Sequence, residues 1–425
     1  MLVRARAVVL AAAMAAAASP PAAAQQLAAD VLVDRDLTVG AGASIAAAIG
    51  AIVARGEDKA VPHGLLAECA DEPNPDRPSG NCGGRRAANI AFRLAKHVFF
   101  DAPQEQLLLV FDHEVFGHGA RLRERFDGPI GYHIQPPSPY GGGNGVTSFV
   151  LDREPTPYEE LAISAGGMES TGVVAALMAE RALADQTWHA RDALRYLTFE
   201  LDPLLYIAGT NDEEEAGHDV GDFLRTYNIA AAAAGARPLT PRTLRRESLI
   251  GLANPMLAFA AYGVARYWWN GATDVAVPAL SVAGVRYLPF FRYRLTPFGT
   301  EWSLVNALGG RMRPTEVEVR IGQSLDARTW GIGARQREVA KWARWAVDAA
   351  VDVWRQPPVD AFAASSPALE RLVGGRAGAR IGHPWFGSSR ATFIVDVGVK
   401  TAGYVPGDPL RGGVVARAGV GVPLP

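Results

Sequence analysis

The spacing of apolar residues divides the chain into two halves. From residue 87 to about residue 270, apolar residues recur at intervals of three and four, and Pro or Gly falls mainly between segments, which predicts helices. After about Gly271, apolar and polar residues alternate, as in TEVEVRIGQ and ATFIVDVGVK, which is typical of antiparallel strands. The predicted fold class is therefore α+β, with an α-rich half followed by an antiparallel β half that forms a sheet or a small barrel.

Two segments fit more than one structure. Residues 342–356 match both periods, and we favour a strand. Residues 248–269 are apolar enough to raise the question of a membrane span, but Asn254, Pro255 and Arg266 would then lie in hydrocarbon, where the Arg alone costs a few kcal/mol. We therefore expect a buried or interfacial helix there.

The N-terminus has the features of an export signal. Arg4 and Arg6 precede an apolar run over residues 7–18, and small residues follow, ending in Ala at positions 22–24. This order is typical of a secretory signal peptide that is cleaved before Gln25. The apolar run is too short to span a bilayer.

The rest of the chain is too long for one ordinary core, so we expect two domains. After the signal peptide at residues 1–24, the predicted domains are an α-rich domain at 25–272 and an antiparallel β domain at 273–425. An alternating β domain in an exported protein raises the prospect of association with an outer membrane. The expected location is the periplasm or the outer membrane.

The charge balance and the cysteine content indicate which binding partners and which redox compartment to expect. The chain has 42 basic and 44 acidic residues, and this balance argues against electrostatic capture of nucleic acid. Its two cysteines, Cys69 and Cys82, lie in a segment rich in Pro and Gly. In an oxidising compartment we expect a disulfide between them, which would stabilise the fold by about 3 kcal/mol.

One predicted helix carries the residues with the clearest chemistry. Residues 101–128 read DAPQEQLLLVFDHEVFGHGARLRERFDG, in which Asp101 can cap the helix and a solid apolar run leads into His113, Glu114 and His118. Burial of unpaired imidazoles and a carboxylate is costly. A zinc ion would offset the cost, because neutral imidazoles bind zinc directly and a neighbouring carboxylate can hold a water molecule.

The spacing of the two histidines imposes a condition on the helix. His113 and His118 are five residues apart, which is about 140° of rotation around a regular α-helix. Both rings can face one metal ion only if the helix widens locally, as in a π-type turn. Gly117 would ease that widening.

The segment HEVFGHG at residues 113–119 resembles the HExxGH hexapeptide of dipeptidyl peptidase III, a zinc metallopeptidase of the gluzincin type. The resemblance covers this helix only. It implies that His113 and His118 bind zinc, that Glu114 is the general base, and that a glutamate on a later helix completes the coordination. The second motif of that family pairs two glutamates, and EELAIS at residues 159–164 matches its beginning.

The third ligand is expected on the helix that follows. Thr156 and Glu159 form a predicted capping box, which gives Glu159 a structural role. Glu160 lies in the first turn, where the helix dipole favours a carboxylate, and is the reserve candidate. Glu169 is the predicted ligand because it is an isolated charge in an apolar stretch, and the Ala-Gly-Gly at 165–167 would let another helix approach closely.

Other candidates carry weaker signals. Residues 128–152 predict two short strands around a Gly-rich loop, in which Tyr132, His133 and Tyr140 could stabilise an oxyanion, although an ordinary surface hairpin is the favoured interpretation. His218 could donate a hydrogen bond to a transition state. It lies in an acidic segment that lacks the calcium-loop spacing and is expected to be a solvated loop.

The sequence therefore predicts an exported zinc hydrolase with a zincin-like α-rich domain. A metallopeptidase that cleaves a peptide or another amide substrate is the favoured function, and cell-wall amides or lipids would use the same site. The alternative is a non-enzymatic outer-membrane or periplasmic protein whose metal is structural or absent.

Overall fold

The computed structural model describes residues 28–66, 82–210, 217–310, 314–325, 327–358, 372–385 and 391–424. The predicted signal peptide and Cys69 lie outside these residues, as does the side chain of Cys82. The expected cleavage site and disulfide therefore concern parts of the chain that the structure does not describe.

The helical half is built from α-helices joined by short irregular helical turns. The α-helices are α1 (Val39–Ala60), α2 (Cys82–Lys96), α3 (Ala102–Phe111), α4 (Gly119–Arg125), α5 (Pro157–Asp185), α6 (Ala190–Gly209), α7 (Asp219–Ala234), α8 (Pro241–Ser248) and α9 (Pro255–Asn270). Two π-helical turns, His97–Asp101 and Asp112–His118, join α2, α3 and α4 end to end. A 3-10 helix, Leu249–Ala253, follows α8.

Ten of the strands form one antiparallel sheet. The strands are β1 (Ala28–Val33), β2 (Ile130–Ile134), β3 (Gly145–Phe149), β4 (Thr187–His189), β5 (Asp274–Ala276), β6 (Leu280–Val282), β7 (Val285–Thr296), β8 (Gly299–Gly310), β9 (Thr315–Ser324), β10 (Ala327–Trp342), β11 (Trp345–Gln356), β12 (Leu372–Pro384), β13 (Thr392–Lys400) and β14 (Gly413–Pro423). The large sheet has the order β1-β14-β13-β12-β11-β10-β9-β8-β7-β6, while β2 pairs with β3 and β4 with β5. The prediction of an α+β fold is confirmed.

The large sheet curls around a polar interior. A cavity of about 540 Å³ is lined by residues of β1, of β8 to β14 and of α5. Arg337 of β10 reaches across to Glu180 of α5 with 2.8 Å between Nε and Oε1. Strand β1 precedes the helical half in the chain, yet it pairs with the final strand, as in the register Val31 to Val420.

Helix α5 joins the helical half to the sheet. Its residues Val174 and Met178 are fully buried and belong to one core with Phe199 of α6. The same core continues into the sheet through Phe290 of β7 and Val305 of β8. The two halves therefore share one hydrophobic core that is centred on α5.

The segments with two interpretations are now resolved. Strand β11 confirms the strand favoured within residues 342–356. The apolar segment 248–269 is bent by 64° between the 3-10 helix and α9, and Asn254 caps α9 by accepting a hydrogen bond from the amide of Met256. Two straight helices, α1 and α5, are long and apolar enough to cross a membrane, but 61% and 72% of their apolar windows are buried inside the protein.

Asp101 does not cap a helix, which corrects the sequence-based expectation. The helical backbone continues through it from α2 into α3. Asp101 is buried, and its carboxylate accepts hydrogen bonds from Lys96 at 2.8 and 3.1 Å and lies 3.0 Å from Arg191. These ion pairs give the carboxylate a structural role inside the helical half.

Candidate metal centre

The π-helical turn brings the two histidines together. Residues 112–118 form this turn, in agreement with the widening that the five-residue spacing requires. The ring centroids of His113 and His118 are 4.9 Å apart. The Nε2 atoms of these rings lie 2.9 and 3.2 Å from the same oxygen, Oδ2 of Asp219.

The Asp219 carboxylate lies against both imidazoles. Asp219 is the first residue of α7 and stands opposite the turn that carries His113 and His118. Ligand atoms about 2.0–2.2 Å from a tetrahedral zinc ion lie about 3.3 Å from one another. The two nitrogen to oxygen distances are close to this value. Asp219 is therefore a candidate ligand beside the cluster of His113, Glu114 and His118, whose ligand atoms lie within 4.8 Å of one another.

The outer nitrogen of each imidazole is also engaged. Nδ1 of His118 lies 2.6 Å from the carbonyl oxygen of Ile163 and donates to it. Nδ1 of His113 lies 3.5 Å from Oδ2 of Asp202, whose carboxylate accepts a hydrogen bond of 2.9 Å from Thr171. Partners of this kind fix the ring orientation and keep the proton on Nδ1, which leaves the Nε2 lone pair for a metal.

The electrostatics of the cluster favour positive charge. Burial lowers the pKa of the His113 imidazole, but hydrogen bonds and charges from Asp202 and Asp219 outweigh it and raise that pKa well above its usual value. For His118, burial is likewise outweighed by the charge of Asp219, and the pKa is raised. Burial favours a higher pKa for Asp219, yet the two imidazoles hold it well below its usual range. One divalent cation can replace the two protons that these buried rings would otherwise carry.

Glu114 lies beside the two imidazoles without binding them. A ligand atom of its carboxylate lies within 4.8 Å of ligand atoms of His113 and His118, and all three residues are buried. Its Oε2 accepts a hydrogen bond of 2.6 Å from the hydroxyl of Thr147 on β3. The predicted hairpin β2–β3 therefore exists and positions this carboxylate.

Close packing of α5 against the turn keeps the histidines in place. A Cβ atom on Gly167 would lie 2.2 Å from Nε2 of His113, and one on Gly117 would lie 2.5 Å from the Cα of Gly167. Only glycine fits at these two positions. The expectation that the Ala-Gly-Gly stretch lets a second helix approach is confirmed.

The structure does not bring Glu169 or Glu160 to the histidines, which corrects the predicted third ligand. Glu169 accepts hydrogen bonds of 2.5 to 3.0 Å from the Arg121 guanidinium and one of 3.0 Å from the amide of Gly407. Glu160 accepts one of 3.0 Å from Thr226. Glu169 is about 200° around α5 from Gly167, so the two residues cannot face the same neighbour.

The candidate residues of the β2–β3 hairpin form contacts away from the histidines. Tyr132 and Tyr140 are exposed and bound elsewhere, to Arg123 and to the carbonyl of Phe99, each at 2.6 Å. His133 of the same hairpin is also exposed. The hairpin thus matches the favoured interpretation of a surface element.

Sequence reasoning missed Tyr206 and the two aspartates. The ring of Tyr206 stacks on the His113 ring with 5.3 Å between centroids. The centroid of the His218 ring lies 5.0 Å from that of Tyr206. Burial raises the pKa of the Tyr206 hydroxyl, and the charges of Asp219 and Asp202 raise it further. Asp219 lies at the end of an acidic stretch, so its sequence context did not single it out. The apolar helix that begins at Asp219 indicates that this carboxylate, unlike its neighbours, lies at the edge of a core.

No protein-family model matches the chain, and no curated protein or solved structure matches it either.

We expect Gly167→Ala to disturb the metal centre. The added methyl group would displace His113 and lower metal affinity by about 10- to 100-fold, as loss of ligand positioning does. Competition with a chromophoric chelator measures this. Gly172→Ala is the matched control on the same helix, since its Cβ would have no neighbour within 4 Å. Equal affinities in the two variants would contradict the packing argument.

Glu169→Ala should act on stability and spare the metal centre. It would leave the buried Arg121 guanidinium without its main partner, at a cost of about 3–5 kcal/mol in the free energy of unfolding. Urea denaturation measures the cost. Loss of bound metal from the folded variant would restore Glu169 as a ligand.

Proposed function

We propose that this protein is an exported zinc-dependent hydrolase that cleaves amide bonds, a metallopeptidase in which His113, His118 and Asp219 hold the ion. One observation carries the proposal. Both Nε2 atoms face a single carboxylate oxygen, while both Nδ1 atoms are bound by outer partners. Polar groups are arranged in this way around catalytic metals because the outer partners orient the ligands.

The number and type of ligands support a catalytic site. Two imidazoles and one carboxylate form the three-ligand set of many zinc hydrolases, which leave a further position for water or substrate. When bound, zinc would lower the pKa of a water molecule and polarise the carbonyl group of the substrate. The local resemblance to the gluzincin hexapeptide implies the same chemistry, with an aspartate on a later helix in place of the glutamate.

Glu114 is suited to move the proton. The Thr147 hydroxyl binds its Oε2 and fixes the carboxylate, so Oε1 is left to accept a proton from the attacking water. Glu114 would then give that proton to the leaving nitrogen. The hairpin that supplies Thr147 is largely exposed, and its Gly145 lies directly against the Glu114 side chain.

Tyr206 is suited to stabilise developing negative charge. A tyrosine hydroxyl is protonated at neutral pH and can donate a hydrogen bond to an oxyanion, and burial raises the pKa of Tyr206 further above its usual value. The stacking of Tyr206 on His113 holds its ring beside the centre.

Elemental analysis of the purified mature protein should find one zinc ion per chain, and Asp219→Ala should lose it. Asp219 is the carboxylate that both imidazoles face, so its removal leaves two ligands only. Asp222→Ala is the control, because this carboxylate lies one turn further along α7 and pairs with Arg225. Full zinc content in Asp219→Ala would remove this residue from the ligand set.

Glu114→Gln should abolish hydrolysis of a quenched-fluorescence peptide library while zinc content is unchanged. Loss of the general base lowers kcat by about 100- to 10,000-fold. Glu160→Gln, a carboxylate of α5 that binds Thr226, should retain activity. Turnover by Glu114→Gln at the rate of the parent protein would show that another group moves the proton.

A further inference from the structure

Apart from Arg355, the charged side chains of strands β11 to β14 face the inside of the sheet. In one register row, Asp348, Arg380, Asp396 and Arg417 stand side by side with alternating sign. Arg417 also lies 2.9 Å from Asp408, whose carboxylate is buried. These charged side chains line the cavity beneath the sheet, where they lie next to groups of opposite charge.

The outward side chains of the same region are apolar. One register row crosses six strands and consists of Val317, Ala334, Val351, Ala377, Val399 and Val414. Val351, Val399 and Val414 are 51%, 59% and 72% exposed. A second register row also consists of apolar residues only: Ala340, Val347, Ile381, Val395, Ala418 and Val33.

This arrangement is the reverse of a sheet that faces water. An antiparallel sheet with one solvated face places polar residues outward and apolar residues toward the core. Here, charges point inward and the outward surface is largely apolar, with Thr315 and Gln336 as the polar residues of the row between the two described. This is the pattern of strands surrounded by lipid. We propose that the outward face of β9 to β14, here called the apolar band, is inserted in the hydrocarbon of a lipid bilayer.

The height of the apolar band matches a bilayer. Along β11 it extends from Trp345 to Arg355, where the first charged outward side chain occurs. Ten residues of strand at about 3.3 Å each give about 33 Å. With a tilt of about 40°, as in membrane barrels, the height is about 25 Å, which equals the apolar belt of such proteins.

Aromatic side chains lie at both borders of the band. At one border Trp342 stacks on Trp345 with 6.4 Å between centroids, and Phe393 contacts Trp385 at 6.0 Å. At the other border Trp330 lies directly opposite Arg355 in the register. Trp is enriched at membrane interfaces because its ring is apolar and its N–H is polar.

The exposed turn beside the sheet supports the same assignment. The 3-10 helix Leu249–Ala253 packs on β7 and exposes Leu249 by 59% and Leu252 by 53%. Exposed apolar side chains of this kind can enter the interfacial layer of a bilayer.

A second protein copy fits this face less well than lipid does. The strands of the band surround a cavity, so their outward directions diverge and a flat partner would cover only part of them. Protein interfaces also combine an apolar centre with a polar rim. The two complete rows described above contain no polar side chain, whereas fluid lipid follows a curved surface of any outline.

The test uses the full mature chain folded into vesicles of dimyristoylphosphatidylcholine. We expect the protein to float with the vesicles and to stay bound in 1 M NaCl, because the attraction is hydrophobic. Val351→Arg should lower the vesicle partition constant by about 30- to 700-fold, the ratio that corresponds to an Arg at the bilayer midplane. The matched control is Val150→Arg, since Val150 is 64% exposed in the helical half and lies outside the band.

A second measurement does not depend on a variant that folds. Phosphatidylcholine brominated in its acyl chains should quench the fluorescence of the tryptophans on the band, whereas the buried Trp188 and Trp354 should be protected. A monomer that remains soluble without vesicles and shows no quenching would overturn the proposal. A soluble oligomer that Val351→Arg dissociates would place a second copy on the band and would also overturn it.

Discussion

The convergence of two imidazoles five residues apart is the constraint on which the rest of the site depends. It requires a widened helical turn, and such a turn persists only where the surroundings over-determine it. Helix α5 supplies that support: Gly167 lies against the His113 ring, and the Ser170 hydroxyl binds the buried carboxylate and carbonyl of Asp112. Asp112 is fully buried, and this burial raises its pKa to about 7. Any change that moves α5 by the width of a methyl group would therefore alter the ligand geometry.

The same helix connects the metal centre to the sheet. Its early part presents the Ile163 carbonyl to His118, and Glu169 holds both the Arg121 guanidinium and the amide of Gly407, in the connection that leads into β14. Further on, Glu180 reaches Arg337 across the interior of the sheet. Helix α5 therefore contacts His118 near its start and the charged interior of the sheet near its end. The charges inside the sheet thus help to position the helix that holds the histidines. A metal centre of this kind is positioned by the whole fold, not by one loop.

The features that could be predicted from the sequence are those that depend on neighbouring residues. Strand alternation, the Thr156 capping box and the π-type turn at His118 each follow from local spacing, and the structure contains all three. The third ligand depends on which helix faces meet, and this is a tertiary property. Glu169 was favoured because it is an isolated charge close to Gly167 in the sequence. However, side chains two positions apart on a helix point about 200° away from each other. Asp219 is 101 residues from His118 along the chain, and only the packing of α7 brings it there.

The pairing of β1 with β14 has a consequence for how the chain acquires its structure. The strand that begins at Ala28 completes its hydrogen bonds with the strand that ends at Pro423, so this ladder forms only after the strands and helices between them have been synthesised. Pairings between such distant segments make folding slow and leave strand edges uncovered meanwhile. Because β14 lies between β1 and β13, loss of this one strand would leave both of its neighbours with an unpaired edge.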